Sequence, residues 1–221
     1  GSSEGTEEVV VVYKNKLNLK YFYQDDKGYR VARARNLGLK NSHSDICLLI
    51  DSGIILHSQC VTTHLDFHTR FHHPVSSIGY VYGFDNKDSD LKELDQILDR
   101  QGNVDNVIHY LEQNKIFLDV REDEYARFDH HIHVLPAPWV YFWSGHVSFN
   151  RACLAMEDFF DLAFEPRYGY EDIDLGYRLH HNGIKIYLNR DAKTFHYPHR
   201  KKRSYDKDLE TNSRIFYDKH K

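Results

Sequence analysis

Apolar positions along the chain fall into short continuous runs alternating with helical stripes. Residues 46–50 (Ile-Cys-Leu-Leu-Ile) form an unbroken apolar run that stops at Asp51-Ser52-Gly53, the pattern of a central strand whose carboxyl end opens into a loop. Strands are also predicted at 19–23, 77–83, 145–149, 184–188 and 192–196. Residues 8–13 fit either a buried strand or the last turns of a helix, because periodicity cannot separate the two in so short a run. Helical spacing predicts helices over 29–41, 58–72, 88–100, 103–114 and 172–182, with Asn103 as an N-cap and Gly183 as a C-cap. The polar, acidic and His-rich stretch 118–138 ends in Pro136-Ala137-Pro138 and reads as a loop boundary. The tail from 204 onward reads as a final helix. Alternating strands and helices imply an α/β sandwich around a mostly parallel sheet, which binds ligands at the carboxyl ends of its strands.

The chain has 221 residues, 41% of them hydrophobic, enough for one sizeable core in two lobes. A formal net charge of −4 argues against nucleic acid as a partner. No apolar stretch reaches the roughly 18 residues of a membrane span. Cys47, Cys60 and Cys153 form no Cys-x-x-Cys pair and read as buried free thiols in a reducing compartment. A cytoplasmic location, or one at the periphery of a membrane, is expected.

Three segments carry a family resemblance. Lys27 to Gly38 contains Ala34-Arg35-Asn36. Ile46 to Gly53 ends in Asp51-Ser52-Gly53. Trp143-Ser144-Gly145-His146 is followed by Tyr168-Gly169-Tyr170-Glu171-Asp172-Ile173-Asp174-Leu175. Together they resemble the family 2 inverting glycosyltransferases of the GT-A fold, with a galactosyltransferase-like C-terminal segment. The resemblance implies a GT-A-like (Rossmann-type) α/β sheet flanked by helices. It also implies a nucleotide-sugar-binding lobe over 1–135, with a variable helical insert at 84–130, an acceptor and catalytic lobe over 136–200, and a tail from 201 to 221. The opening Gly1 to Thr6 resembles the stretch just after the family's second strand, which would put a first strand and helix upstream. Gly1-Ser2 reads equally well as a cloning scar.

The same resemblance assigns roles. Asp172 is the candidate general base, taking the proton of an acceptor hydroxyl as it attacks the anomeric carbon. First-turn acids at 171, 172 and 174 also suit a helix N-terminus on their own account. Arg35, Asp51, Ser52, Trp143, Gly145, His146 and Glu171 are candidates for donor binding. A divalent Mn²⁺ or Mg²⁺ is expected on Asp51 and His196, although Gly53 stands where the family usually has a second, metal-binding Asp. His199, Arg200 and Arg203 are candidates for the diphosphate. The implied partners are a nucleoside diphosphate sugar, a UDP-sugar first, and a glycan or other hydroxyl acceptor.

Two other readings compete. One is a non-catalytic nucleotide-sugar-binding module, which Gly53 favours. The other is a metallohydrolase built on Asp51 and the His-rich stretch 130–133, where His131 and His133 would share a strand face. His64, His68 and His72 are spaced four apart and read as a solvated helix face.

Overall fold

The computed structural model describes residues 5–83, 91–154, 159–197 and 205–221. By its internal contacts the chain divides into two compact units. One comprises Gly1–His43, Met156–Glu171 and Tyr205–Lys221, the other Ser44–Ala155 and Asp172–Ser204. These units interleave along the sequence.

The larger unit is built on a five-stranded sheet: β1 (Ile46–Ile50), β2 (Ile54–Leu56), β3 (Ser76–Tyr82), β4 (His146–Asn150) and β5 (Ile186–His196), in the order β1-β4-β3-β5-β2. The α/β class is as expected, but the sheet is mixed rather than mostly parallel. β3 and β5 run parallel, whereas β1 with β4, β3 with β4 and β2 with β5 are antiparallel. An apolar run reveals that a strand is buried, not which way its neighbours point. The two strands expected at 184–188 and 192–196 are one, β5. Its register against β3 shifts so that Gly79 pairs with Asn189 while Tyr80 pairs with Lys193. The polar Asn189-Arg190-Asp191 step that looked like a gap is this irregularity.

Around the sheet lie α3 (Cys60–Thr69), α4 (Leu91–Gln101), α5 (Val104–Asn114), the short α6 (Glu122–Arg127) and α7 (Glu171–His181). α4 and α5 pack their Leu94, Ile97, Val107, Ile108 and Leu111 inward. Asn103 caps α5, its side chain accepting from the Asn106 N–H at 2.9 Å, as its position before the apolar stripe predicts.

α3 departs from its expected reading. Cys60, His64 and His68 are its buried residues, while Val61 and Leu65 are exposed. The helix ends at Thr69, so His72 lies outside it and is exposed. Opposite, β4 turns His146, Ser148 and Asn150 to one face, alternating with the buried apolar Val147 and Phe149. Four helical residues rise about 6 Å and two strand residues about 7 Å, so polar positions spaced four apart on α3 meet polar positions spaced two apart on β4. His64 reaches His146 and Ser148, and His68 reaches Ser148 and Asn150.

The smaller unit contains α1 (Thr6–Tyr13), α2 (Val31–Asn41), the segment 159–171 and α8 (Asp206–Lys219). The 8–13 run is helical, and 19–23 forms no strand. Asn36 on α2 makes a two-way bond with the Phe160 backbone, donating at 2.7 Å and accepting at 2.8 Å. On α8 the fully buried Asn212 donates to the carbonyls of Phe164 and Gly169 and accepts from Arg167. Among the described residues, no helix is long and apolar enough to cross a membrane.

Candidate active site

Asp51 leaves the carboxyl end of β1, and its backbone N–H donates to the Gly145 carbonyl at 2.9 Å. Gly145 begins the step into β4. One residue earlier, the Ser144 N–H donates to Asp172 Oδ2 at 3.3 Å, while Asp172 Oδ1 accepts the Ile173 N–H at 2.8 Å. Both carboxylate oxygens are thereby oriented at the start of α7, where the N-terminal end of a helix stabilises negative charge. Two adjacent loop residues thus join Asp51 to Asp172.

On the other flank, the Tyr197 N–H donates to the Gly53 carbonyl at 2.9 Å, and Ile54 pairs with His196 across β2 and β5. The backbones carrying Asp51 and His196 are therefore neighbours. Gly53 has a φ of 89°, a region that disfavours side chains, so an Asp at this position would be strained in this turn. Ser52 lies exposed in the same turn.

Behind the loop sits a buried ion pair that sequence reading missed. Arg121 is clamped in two-pronged fashion by Asp119, Nε to Oδ1 at 2.9 Å and Nη2 to Oδ2 at 2.8 Å. It also donates to the Tyr141 carbonyl at 3.0 Å and stacks over Trp143 at 4.9 Å from the ring centre. Burial pulls the Arg121 pKa down, but Asp119 overrides that and keeps the net shift upward, with Asp172 adding to it. Asp119 and Arg121 lie in a stretch that read as an inter-lobe loop, where charged side chains give no signal of burial.

The other expected site residues fall elsewhere. Arg35 and Glu171, both candidates for donor binding, meet each other at 2.9 Å as a largely buried ion pair in the smaller unit, with Arg35 over the Phe160 ring. The His146 side chain does not face the loop. It is 1% exposed and turned into the core, because Gly79 leaves room for it: a Cβ on Gly79 would come within 2.0 Å of His146 Cε1. There His146 Nε2 lies 2.9 Å from His64 Nε2 and 3.4 Å from Cys60 Sγ. Burial pushes the His64 imidazole down to about 4, with His68 adding to the effect. Burial also holds His146 well below the usual value and lifts the Cys60 thiol to about 12. His199, Arg200 and Arg203 lie outside the described residues.

The His-rich stretch does not converge on a metal site. Residues 132–134 form a 3-10 turn rather than a strand, His133 stacks on Tyr187, and His130 bonds Glu122. Among the described residues, the group of potential ligands that converges is Cys60, His64 and His146.

No family model matches the chain. It is 31% identical over 199 residues to a validoxylamine A glucosyltransferase of Streptomyces hygroscopicus subsp. jinggangensis, a match covering 90% of this chain and 46% of the relative. It is 27% identical over 206 residues to a chondroitin synthase of Escherichia coli, covering 89% and 29%. The chain spans less than half the length of these curated relatives. In fold it resembles S. aureus TarS 1-349, solved in complex with UDP-GlcNAc, with a TM-score of 0.60 at 16% identity over 97% of this chain and 54% of that one.

Proposed function

We propose that this chain, kin to the family 2 glycosyltransferases of the GT-A fold, transfers a sugar from a nucleoside diphosphate to an acceptor hydroxyl with inversion. The observation that carries this reading is the link from Asp51 through Gly145 and Ser144 to Asp172. It joins a strand-end carboxylate, of the kind that meets a nucleotide, to a carboxylate with both oxygens oriented. In this reading Asp172 accepts the acceptor's proton as the acceptor oxygen bonds to the anomeric carbon. The bond from that carbon to the diphosphate breaks, and the electron pair leaves with the nucleoside diphosphate. Trp143 would offer its indole to a sugar face, with Gly145 allowing the backbone to approach closely.

Asp51 and His196 are the residues of this chain that would hold a divalent cation. Their neighbouring backbones fit that role, and an oxygen-plus-imidazole set suits Mn²⁺ better than Mg²⁺. Such an ion supplies neutralisation of the charge that develops on the leaving diphosphate. Donor choice is proposed as a UDP-sugar, from the nucleotide bound in the TarS complex.

Gly53 favours a second reading, a module that binds nucleotide without turning it over. The experiment that separates the two is a thermal scan with UDP, GDP, TDP and CDP, with and without Mn²⁺, followed by incubation with the matching sugar nucleotides and glycan acceptors. A stabilising nucleotide and a product of inverted anomeric configuration are expected. Stabilisation without product selects the binding module, and a retained configuration rules out the single displacement.

A further inference from the structure

Cys60, His64 and His146 play no part in the sugar-transfer reading, and the hydrogen-bond pattern around them constrains what they can hold. Asn150 Oδ1 accepts the Val75 N–H at 2.9 Å, so it is an acceptor, and His68 Nδ1 at 3.1 Å must carry a hydrogen. Neutral His68 therefore has its lone pair on Nε2 and takes the hydroxyl proton of Ser148 at 2.7 Å. With that proton committed, Ser148 Oγ can only accept in its 2.9 Å contact with His64 Nδ1. Ser77 Oγ lies 2.9 Å from Ser148 Oγ and 3.2 Å from His64 Nδ1; when its proton goes to Ser148, His64 is protonated on Nδ1 and has its lone pair on Nε2. On the far side, Thr194 Oγ1 has one proton for two neighbours, the Tyr80 carbonyl at 3.2 Å and His146 Nδ1 at 3.1 Å. When that proton goes to the carbonyl, Thr194 accepts from His146 Nδ1, and His146 is the same tautomer as His64. In that arrangement the two Nε2 lone pairs face each other across 2.9 Å, with Cys60 Sγ 3.4 Å from one of them. Two lone pairs at that separation repel, and a cation shared between them reverses the sign.

We propose that Cys60 Sγ, His64 Nε2 and His146 Nε2 bind one zinc ion, with the hydroxyls of Ser148 and Thr194 fixing the outer nitrogens of the two imidazoles. Zinc takes histidine nitrogen at about 2.0–2.1 Å and thiolate sulfur at about 2.3 Å, which puts ligand atoms roughly 3–4 Å apart. The three atoms here lie within 4.8 Å of one another, and the closest pair needs to open by only a few tenths of an ångström. One thiolate and two imidazoles suit zinc and exclude the hard cations expected near a diphosphate. Histidines whose second nitrogen is held by an oxygen are characteristic of metal ligation. A fourth position would take a water-sized ligand. The ligand residues are 0%, 2% and 1% exposed, so substrate does not reach the ion, and its role is to tie α3 to the start of β4 directly behind Gly145. The site is chemically distinct from Asp51 and His196, and chelation could act at either.

The test uses the full chain without a polyhistidine tag, analysed for bound metal after gel filtration. About one zinc per chain is expected, with Thr194→Val weakening retention against a competing chelator by about tenfold or more. Cobalt exchanged into the wild type and into Cys47→Ser should give a thiolate-to-cobalt charge-transfer band that Cys60→Ser lacks. The cobalt reading on the wild type needs no variant to fold. Folded wild type with under about a tenth of an equivalent of zinc and no such band overturns the site. So does zinc retained in folded Cys60→Ser, and copper found in its place overturns the choice of metal.

Discussion

Ser144 offers its backbone N–H to Oδ2 of Asp172 at 3.3 Å, while the other oxygen of the same carboxylate accepts from Ile173. An amide side chain in place of the carboxylate could keep an acceptor oxygen but could not take up a proton. Asp172→Asn is therefore expected to lower the turnover number by about 10²–10⁴-fold, the usual contribution of a general base, while leaving nucleotide binding intact. Steady-state kinetics beside calorimetric titration with the donor nucleotide would check this. Near-normal turnover would remove Asp172 from the role.

Arg121 carries a buried charge between Asp119 and the Trp143 ring. Arg121→Met leaves the fully buried Asp119 side chain stripped of its principal counter-charge, an imbalance that costs about 3–5 kcal/mol. Urea unfolding should show the loss. The double variant Asp119→Leu, Arg121→Met should recover a good part of it, because removing both charges also removes the burial cost.

Gly79 lies against the His146 imidazole, and Gly79→Ala places a methyl where that ring sits. Overpacking of this kind costs about 1–3 kcal/mol. A crystal structure of the variant should show His146 rotated away from His64, and its zinc content should fall together with its melting temperature. An unmoved ring would contradict the packing described for this corner.

Glu122 supplies a pH-dependent contribution. Burial raises its pKa, but hydrogen bonds from Arg190, Tyr80 and His130 outweigh burial, and the net shift is downward. A carboxyl whose folded value lies below its unfolded one stabilises the fold above the ordinary carboxylate range and loses that contribution as pH falls through the folded value. Glu122→Gln should thus melt about 2–4 °C lower than wild type at pH 7, for a pair worth about 1 kcal/mol. The gap should close as pH falls below the ordinary carboxylate range and through the lowered folded value, where the wild-type carboxyl protonates. A gap constant with pH would mean the loss is one of shape rather than charge.

Much of the frame was legible in the sequence. The Ile46–Ile50 run, its abrupt end at Asp51 and the Asn103 cap are local signals, and each is where the pattern puts it; α7 begins at Glu171, one residue before the expected 172. What was not legible depends on partners distant in the chain. His64 and His68 read as solvated because nothing near them in sequence announces Ser77, Ser148 and Asn150, which satisfy them in the core. A signal did exist on β4, where His146, Ser148 and Asn150 alternate with Val147 and Phe149, but a strand with one polar face normally turns that face to water. Arg35 is a candidate nucleotide contact by the resemblance of Ala34-Arg35-Asn36, and its ion pair with Glu171 was not legible because that partner lies 136 residues away. Strand direction was misjudged for a similar reason, since β1 pairs with β4, which comes about a hundred residues later.

The polar face of α3 gives the interior of the larger unit a means of rejecting near misses. A greasy interface tolerates a helix slid by one turn at the cost of some packing. Here the same slide would set Cys60 where His64 belongs and carry His68 past the last acceptor of β4, leaving several buried groups unbonded at about 1–3 kcal/mol each. One alignment is thereby selected over its neighbours, and the mouth of β4, where Gly145 meets Asp51, inherits its place from that selection.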